Sequence, residues 1–231
     1  MKRMAIIFFG LTLISGHSWA AGDLDLNDEK IRTSYSVGYQ VGGDFKRQGM
    51  DINPEVLIMG VQDALSGTEP VMSEQEMRQT LVDLQKRVTA AQEENKRIQS
   101  ERNQAEGDKF LAANAEKEGV AALPSGLQYL VITEGEGNSP KASDTVTVHY
   151  RGTLINGTEF DSSYSRNQPA TFALNRVIKG WTEGLQLMKP GAKYKLFVPP
   201  ELAYGERGAG SKIGANSTLI FEVELISVEG S

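Results

Sequence analysis

Side chains that could carry out covalent or metal chemistry are scarce in this chain of 231 residues. It contains no cysteine and two histidines, His17 and His149. The lack of cysteine excludes a disulfide, a thiol nucleophile and lipid attachment through cysteine. Because His17 lies in a segment that we expect to be removed, a zinc site of the usual ligand types cannot be assembled. A Ser-His-Asp triad would have to depend on His149.

The surroundings of His149 argue against a catalytic role. The segment Val146–Tyr150 alternates strictly, which places its valines and its tyrosine on one face of a strand. His149 then lies on the opposite face with Thr147 and Arg151, and we interpret it as a solvated strand histidine. No phosphate-binding loop or dinucleotide fingerprint is present. We therefore predict no metal and no cofactor.

Composition limits the remaining possibilities. Hydrophobic residues make up 39% of the chain, enough for a packed core, and the length allows one large domain or two small ones. The formal net charge of −6 argues against a general nucleic-acid binder. We predict no nucleic-acid partner.

Residues 1–20 have the organisation of a signal peptide. Lys2 and Arg3 are followed by an apolar run, Ile6–Leu13, that is too short to span a bilayer stably, and small residues end the segment at Ala20. We predict cleavage after Ala20 and an exported protein. The alternative is a retained membrane anchor.

Residues 21–72 are predicted to form a helical dimerisation module. One helix begins near Asp28 and ends near Gly49, and a second starts with Asn53 as N-cap and Pro54 at the first helical position. The first helix has an apolar face with a spacing of three or four residues, formed by Ile31, Tyr35, Gly38, Gly42 and Phe45.

The glycines of that face suggest a partner. Each costs roughly 1 kcal/mol of helix propensity against alanine, which makes sense if another helix approaches closely. Two short helices are too small to form an independent core, so we expect pairing with a second copy of the chain. A methionine-lined protein-binding surface is the alternative.

Residues 73–118 are predicted to form a long connecting helix. Ser73 and Glu76 make a capping box, and the segment as far as Glu118 has no proline and one glycine, Gly107. A helix of about 45 residues would be on the order of 65 Å long. Its second half is polar all round, as in helices that bridge domains through solvent or depend on i,i+4 ion pairs. A disordered polar linker is the alternative.

Residues 119–231 change to a period of two, which indicates an antiparallel sheet. The predicted strands are Leu127–Ile132, Asp144–Leu154, Lys193–Val198 and Thr218–Val228, with a two-residue hairpin turn at Asn156-Gly157. One short helix interrupts them, with an apolar stripe of Val177, Ile178, Trp181, Leu185 and Met188. The fold class is therefore α+β.

Six blocks of this segment resemble the FKBP family of peptidyl-prolyl isomerases, in order and at matching spacing. They are Val148–Gly152, Gly157–Ser163, Val177–Trp181, Lys189–Gly191, Leu202–Gly205 and Leu219–Leu225. The whole chain, including Ser34–Gly38 and the long helix, resembles the macrophage infectivity potentiator (Mip) group of exported bacterial FKBPs.

The resemblance implies an FKBP-like sheet wrapped on one short helix, behind an N-terminal dimerisation module. It implies a homodimeric isomerase that acts on proline-containing unfolded or exported proteins and binds macrolides of the FK506 and rapamycin type. The implied location is the periplasm, the outer membrane or the cell surface of a Gram-negative bacterium.

The resemblance also implies an apolar bowl for the substrate proline, with Trp181 as its floor. Asp161 and Tyr204 would be the catalytic residues. Substrate would be bound by Tyr150, Phe160, Arg166, Val177, Ile178, Trp181, Ile213 and Phe221. This chain has Ala170 where the family often has a second aromatic wall residue.

This set of residues suits the chemistry. Rotation about a peptide bond meets a barrier of about 18–20 kcal/mol because resonance makes the bond partly double. No proton transfer or covalent intermediate is needed, so a catalyst can work by binding the twisted amide better than the planar one. Taken singly, each residue has an ordinary interpretation, as core for Trp181, Phe160 and Phe221 and as a turn or cap for Asp161.

Two other functions were considered beside the isomerase. A binding or chaperone module would have a vestigial pocket, but the presence of both Asp161 and Tyr204 favours activity. A structural homodimeric spacer would not explain a complete set of pocket motifs.

Overall fold

The computed structural model describes residues 24–230, so the predicted signal peptide lies outside the described residues. Its helices are α1 (Glu29–Arg47), α2 (Pro54–Ser66), α3 (Glu74–Ala115) and α4 (Lys179–Leu185). Its strands are β1 (Val120–Ala122), β2 (Gln128–Thr133), β3 (Thr145–Leu154), β4 (Glu159–Ser162), β5 (Ala170–Ala173), β6 (Lys193–Val198) and β7 (Leu219–Glu229). The predicted α+β class is confirmed.

The chain divides into two compact units within helix α3. The first unit ends at Val88 and contains α1, α2 and the beginning of α3, whereas the second begins at Thr89 and contains the rest of α3 and the sheet. The last turns of α3 therefore belong to the same unit as the sheet.

The ends of the N-terminal helices follow from capping residues. The Asp28 carboxylate accepts the backbone N–H of Lys30 at 2.8 Å, and the Asn53 side chain accepts that of Glu55 at 3.0 Å. Helix α2 ends at Gly67, whose φ of 71° lies in the left-handed region that favours glycine. The predicted capping box also forms, because the backbone N–H of Ser73 donates to Glu76 at 2.9 Å and Glu76 N–H donates to Ser73 Oγ at 3.2 Å.

Helices α1 and α2 leave apolar surface exposed. Within residues 24–88, neither helix contains a buried residue. Tyr35 is 57% exposed, Ile58 56% and Leu65 85%. The two helices therefore do not bury their apolar faces within one chain.

The polar second half of α3 is helical, as predicted, but it is not surrounded by solvent throughout. Ion pairs support the exposed part, such as Arg97 with Glu101 at 2.5 Å. Further on, the buried Asn114 donates to the Gln128 side chain at 2.9 Å. The Phe110 ring lies 6.0 Å from the Phe197 ring. A solvent-crossing helix is therefore the wrong expectation for these turns, because they pack on the sheet.

Within the described residues, seven strands form one antiparallel sheet in the order β1-β2-β6-β7-β3-β4, and β5 pairs with the first half of β3. The four predicted strands are confirmed to within one residue at each end. Strands β1, β4 and β5 were not predicted, because three or four residues are too few to show a period of two.

The turn between β3 and β4 differs from the prediction. Leu154 N–H donates to the Thr158 carbonyl at 2.9 Å, so three residues separate the closing pair rather than two. Gly157 occupies the left-handed region with a φ of 85°. This is the three-residue hairpin loop, in which the glycine produces a bulge, and the register of β3 and β4 shifts next to it.

Helix α4 packs closely on the sheet because two of its residues are glycines. A Cβ built at Gly184 would lie 2.8 Å from Leu196 of β6, and one at Gly180 would collide with Val198. The helix position between these glycines carries Trp181, which is 4% exposed. The close approach of α4 thus determines where the tryptophan ring lies above the sheet.

Candidate active site

A cavity of about 780 Å³ lies between α4, the sheet and the segment that joins β6 to β7. Of the ten predicted site residues, all except Arg166 line this cavity. It is also lined by Phe172, Arg176 and residues 209–212, which the sequence analysis did not assign to the site.

The floor of the cavity is the indole of Trp181. Three aromatic rings stand nearly perpendicular to it, with centroids at 5.2 Å for Tyr150, 5.6 Å for Phe172 and 5.3 Å for Phe221. Edge-to-face packing of this kind is favoured by the charge distribution of the rings. The indole nitrogen is buried and has no hydrogen-bond partner among the described residues. The result is an apolar bowl of fixed shape.

A glycine in strand β3 allows the aromatic wall to close. The rings of Phe160 and Phe221 meet edge to face at 5.5 Å. A Cβ at Gly152 would lie 2.6 Å from Phe160 and 2.9 Å from Phe221, closer than side-chain atoms tolerate. Gly152 is therefore needed for this ring pair, which explains its place in the motif Val148–Gly152.

Phe172 supplies an aromatic wall that the sequence analysis missed. It lies on β5, two residues after Ala170, so the two side chains point to the same face of the strand. Phe172 thus lines the cavity although the family's usual aromatic position is occupied by alanine. The only signal in the sequence was one alternating pair, Thr171 and Phe172.

Asp161 is the acidic residue of the cavity and is held on both sides. The hydroxyl of Tyr150 donates to its Oδ2, and Nη1 of Arg166 donates to its Oδ1 at 2.6 Å. Nη2 of Arg166 also donates to the Tyr150 hydroxyl oxygen at 3.0 Å. Arg166 therefore lies outside the cavity lining and contacts the site through these two residues.

These contacts set the charge of the site. Partial burial opposes ionisation of Asp161, but the hydrogen bonds from Tyr150 and Arg166 outweigh it, and its pKa lies below the ordinary value of 3.8. Burial, assisted by the hydrogen bond to Asp161, raises the pKa of Tyr150 above 10.0. The hydrogen bond to Asp161 raises the pKa of Arg166. At neutral pH the cavity thus contains a carboxylate and a neutral phenol.

The wall beside the N-terminus of α4 is formed by Val177 and Ile178, which precede the helix. The carbonyl of Ile178 accepts the first helical hydrogen bonds, from Trp181 at 3.0 Å and Thr182 at 3.1 Å. These bonds fix the backbone of Ile178 next to the floor of the cavity.

Another part of the rim comes from the segment between β6 and β7. Tyr204 is 41% exposed and Ile213 only 8%. Ala209 and Ile213 are joined by two backbone hydrogen bonds of 2.8 and 3.2 Å. Lys212 Nζ donates to the Phe160 carbonyl at 3.4 Å, which connects the rim to β4. Hydrogen bonds thus close the rim on itself and hold it against the sheet.

Chemically, the site offers aromatic rings, one carboxylate and hydroxyl groups. Among residues 24–230 there is no cluster of three or more histidine, cysteine or acidic side chains that could hold a metal ion. An antiparallel sheet wrapped on one short helix, with a tryptophan-floored bowl between them, defines the FKBP class of proteins.

Comparisons with known proteins agree with this class. Residues 136–226 match the family "FKBP-type peptidyl-prolyl cis-trans isomerase", and residues 30–131 match the "Domain amino terminal to FKBP-type peptidyl-prolyl isomerase". The chain is 46% identical over 229 residues to the "Outer membrane protein MIP" of Legionella longbeachae, covering 99% of this chain and 98% of the relative. It is also 46% identical over 229 residues to the "Peptidyl-prolyl cis-trans isomerase Mip" of Coxiella burnetii, covering 99% of each.

A solved structure also matches. The crystal structure of FkpA from Escherichia coli is 40% identical, with a TM-score of 0.72, over 87% of this chain and 97% of that one. The chain belongs to the FKBP-type peptidyl-prolyl cis/trans isomerases, in the Mip group. It is an isomerase of Xaa-Pro peptide bonds.

Proposed function

We propose that the bowl above Trp181 holds the substrate proline and lowers the rotational barrier of the preceding amide without covalent chemistry. The observation that carries this proposal is the carboxylate of Asp161 at the edge of a cavity lined mainly by aromatic and aliphatic side chains. Such a site removes water from the planar, charge-separated amide. It also presents fixed polar groups to the twisted amide, in which resonance is lost.

Each polar residue has a distinct role in this mechanism. Asp161 acts beside the reacting amide, and the Tyr204 hydroxyl and the Ile178 backbone N–H donate to substrate carbonyls. Arg166 contributes by holding Asp161 ionised and oriented. Val177, Ile213 and the aromatic rings bind the proline and its neighbours.

A refolding reaction limited by proline isomerisation tests the proposal. We expect the protein to accelerate it after treatment with a chelator and without nucleotide, because the cavity supplies all the required groups. Folded protein that gives no acceleration under these conditions would contradict the mechanism.

We further propose that the first unit forms a homodimer through α1 and α2. Support comes from the exposed apolar side chains of both helices and from the glycines of α1. No other atom of the described residues lies within 4 Å of a Cβ built at Gly38 or Gly42, so a second helix has access to this face. Identical chains favour two-fold pairing, and two pockets in one particle would bind an unfolded client at two prolines.

The glycine face allows a sharp test. In one chain Gly42→Leu meets no neighbour and improves helix propensity by roughly 1 kcal/mol. If the face is an interface, the same change weakens the dimer, and light scattering should show monomers at concentrations where the parent is dimeric. Gln40→Leu, which adds the same side chain on the other side of α1, is the matched control. Equal dimerisation of both variants would exclude the glycine face of α1 as the dimer interface.

The remaining parts of the proposal concern domain limits, location and partners. We propose residues 21–72 as the dimerisation module, 73–118 as the connecting helix and 119–231 as the isomerase domain, exported after removal of residues 1–20. Within residues 24–230 no helix is long and apolar enough to cross a membrane. We propose unfolded or exported proline-containing proteins as clients, an added chaperone contribution from the first unit, and FK506- or rapamycin-type macrolides as pocket ligands.

A further inference from the structure

The rim of the cavity is a loop whose tip buries Ile213 in the hydrophobic core. It runs from Gly205 to Ser217, and its tip is closed by the two hydrogen bonds between Ala209 and Ile213. Gly208 has a φ of 64°, and a side chain there would collide with the Ile213 carbonyl. Besides the buried Ile213, the tip contacts the site through Lys212, whose hydrogen bond to the Phe160 carbonyl is long at 3.4 Å.

The base of this loop is held by helix α3. Asn103 Nδ2 donates to the Ala215 carbonyl at 2.7 Å and to Ser217 Oγ at 3.3 Å. One residue along the loop, Asn216 Nδ2 donates to Ser100 Oγ at 3.0 Å. The helix thus donates hydrogen bonds to the loop through Asn103 and accepts one from the loop through Ser100.

The backbone conformation makes these contacts important. Asn216 has a φ of 54°, in the left-handed region that asparagine adopts more readily than most other residues with a side chain. Its N–H also donates to the Gly205 carbonyl at 2.8 Å, which closes the base of the loop. The helix therefore contacts the loop at its hydrogen-bonded base.

Asn103 is itself oriented for this role. Gln99 Nε2 donates to its Oδ1 at 2.7 Å, which turns the amide nitrogen towards the loop. The close approach requires glycine on each side, because a Cβ at Gly214 would lie 3.0 Å from Asn103 Nδ2 and one at Gly107 would collide with Thr218. Gln99 therefore orients the Asn103 amide, and the two glycines allow the helix and the loop to approach closely.

We propose that Asn103 is a positioning residue of the isomerase site. By holding the Ala215 carbonyl it keeps the loop that carries Ile213 in the conformation that closes the substrate cavity. The proposal rests on the proposed role of that cavity in binding substrate. A loop that occupies its closed form for only a fraction of the time lowers apparent affinity by that fraction, so the effect falls mainly on KM.

The test compares Asn103→Ala with the parent in the full chain. Loss of one hydrogen bond of this kind shifts the equilibrium of the loop about three- to tenfold towards the open form, and KM should rise by up to that factor with a smaller change in kcat. Hydrogen exchange of residues 209–215 should become faster, whereas exchange in β3 and β7 should not change. Asn103→Asp keeps the size of the side chain but cannot donate, and it should behave like the alanine variant.

Gln104→Ala is the matched control, because Gln104 lies on the same helix and bonds only the exposed Asp108 at 2.9 Å. Unchanged KM and unchanged loop exchange in Asn103→Ala would overturn the proposal, as would an equal effect of Gln104→Ala. If Asn103→Ala does not fold, Ser100→Ala, which removes the acceptor for Asn216, should give a smaller effect in the same direction. The activities of Asp161→Ala and Tyr204→Ala test separately whether the cavity is the active site. Hydrogen exchange of the loop shows, independently of activity, whether Asn103 keeps the loop ordered.

Discussion

Arg166 donates a 2.6 Å hydrogen bond to the Oδ1 oxygen of Asp161 while it also holds the tyrosine that donates to Oδ2. One exposed arginine thereby orients the acid of the cavity and favours its charged form. Replacing Arg166 by alanine should raise the pKa of Asp161 and lower kcat/KM by about threefold to tenfold, the range for loss of an ordinary hydrogen bond, because both partners are about half exposed and solvent weakens their charge interaction. A carboxyl titration followed by NMR, together with a peptide isomerisation assay, measures both effects.

Arg151→Ala provides the control for Arg166→Ala. Arg151 forms an ion pair of similar geometry with Glu159, at 2.7 Å, on the neighbouring strands but outside the cavity. This variant should leave the titration of Asp161 and the activity unchanged. If the two arginine variants behave alike, general surface charge is responsible and not the pair with Asp161.

Substitution of the two proposed catalytic residues should separate activity from stability. Asp161→Ala and Tyr204→Phe each remove one polar group from the cavity, and we expect kcat/KM to fall by about tenfold or more for each. Thermal unfolding should change little for Tyr204→Phe, because Tyr204 is 41% exposed. Activity losses that merely follow the unfolding temperature would assign both residues to the structure.

The pH dependence of stability should have two limits that originate in the cavity. The pKa of Asp161 is lowered in the folded state, so ionised Asp161 stabilises the fold above pH 3.8. This stabilisation is lost as the pH falls through the lower folded-state pKa. The pKa of Tyr150 is raised in the folded state, so the neutral phenol stabilises the fold below pH 10.0. This stabilisation is lost as the pH rises through the higher folded-state pKa. We therefore expect Asp161→Asn to weaken the acid limb and Tyr150→Phe the alkaline limb of the free energy of unfolding, measured by urea titration. A constant difference between parent and variants at all pH values would contradict this.

Helix α4 should not tolerate the smallest possible side chain at Gly184. Alanine there places a methyl group 2.8 Å from Leu196, and overpacking of this kind typically costs about 1–3 kcal/mol of unfolding free energy. Gly60→Ala, in an open position of α2, should be neutral or stabilising in a single chain because alanine is the better helix former. Chemical denaturation measures both variants, with unfolding of the sheet unit followed for Gly184→Ala and unfolding of the first unit for Gly60→Ala. A loss of stability in Gly184→Ala alone shows that the close approach to Leu196 is responsible, and not the replacement of a helical glycine as such.

Trp181 should report directly on occupancy of the cavity. The sequence has two tryptophans, and replacing Trp19 by phenylalanine leaves the indole at the floor as the only one. We expect its emission to change in intensity and wavelength when a rapamycin-type macrolide displaces water from the bowl, and peptide isomerisation to be inhibited at the same concentrations. Inhibition without any change in emission would place the ligand elsewhere.

Local signals predicted much of the fold. The capping box of Ser73 and Glu76 and the asparagine-proline start of α2 depend on residues within one turn, and both helices begin where these signals lie. Strand β6 occupies the predicted residues Lys193–Val198, where four alternating positions are followed by an apolar end. The predicted loop of the hairpin after β3 was one residue too short. An Asn-Gly pair suits loops of two and of three residues, and the register with β4 decides between them.

The site was predictable as far as it follows the family motifs. The position of Phe172 depends on pairing between β5 and β3, which a four-residue strand does not reveal. The contact of Asn103 with Ala215 joins positions 112 residues apart, and a polar residue within a polar helix gave no sign of it. Long-range pairing of single polar groups is thus what the sequence pattern could not supply.

The two asparagines by which α3 holds the sheet unit restrict how the chain can change in length. Asn103 and Asn114 are 11 residues apart, which is close to three helical turns, so both side chains lie on one face. Deleting or inserting a single residue between them would rotate one anchor by about 100° relative to the other and release either the loop or Gln128. Variation in helix length is therefore expected to be excluded between the two anchors.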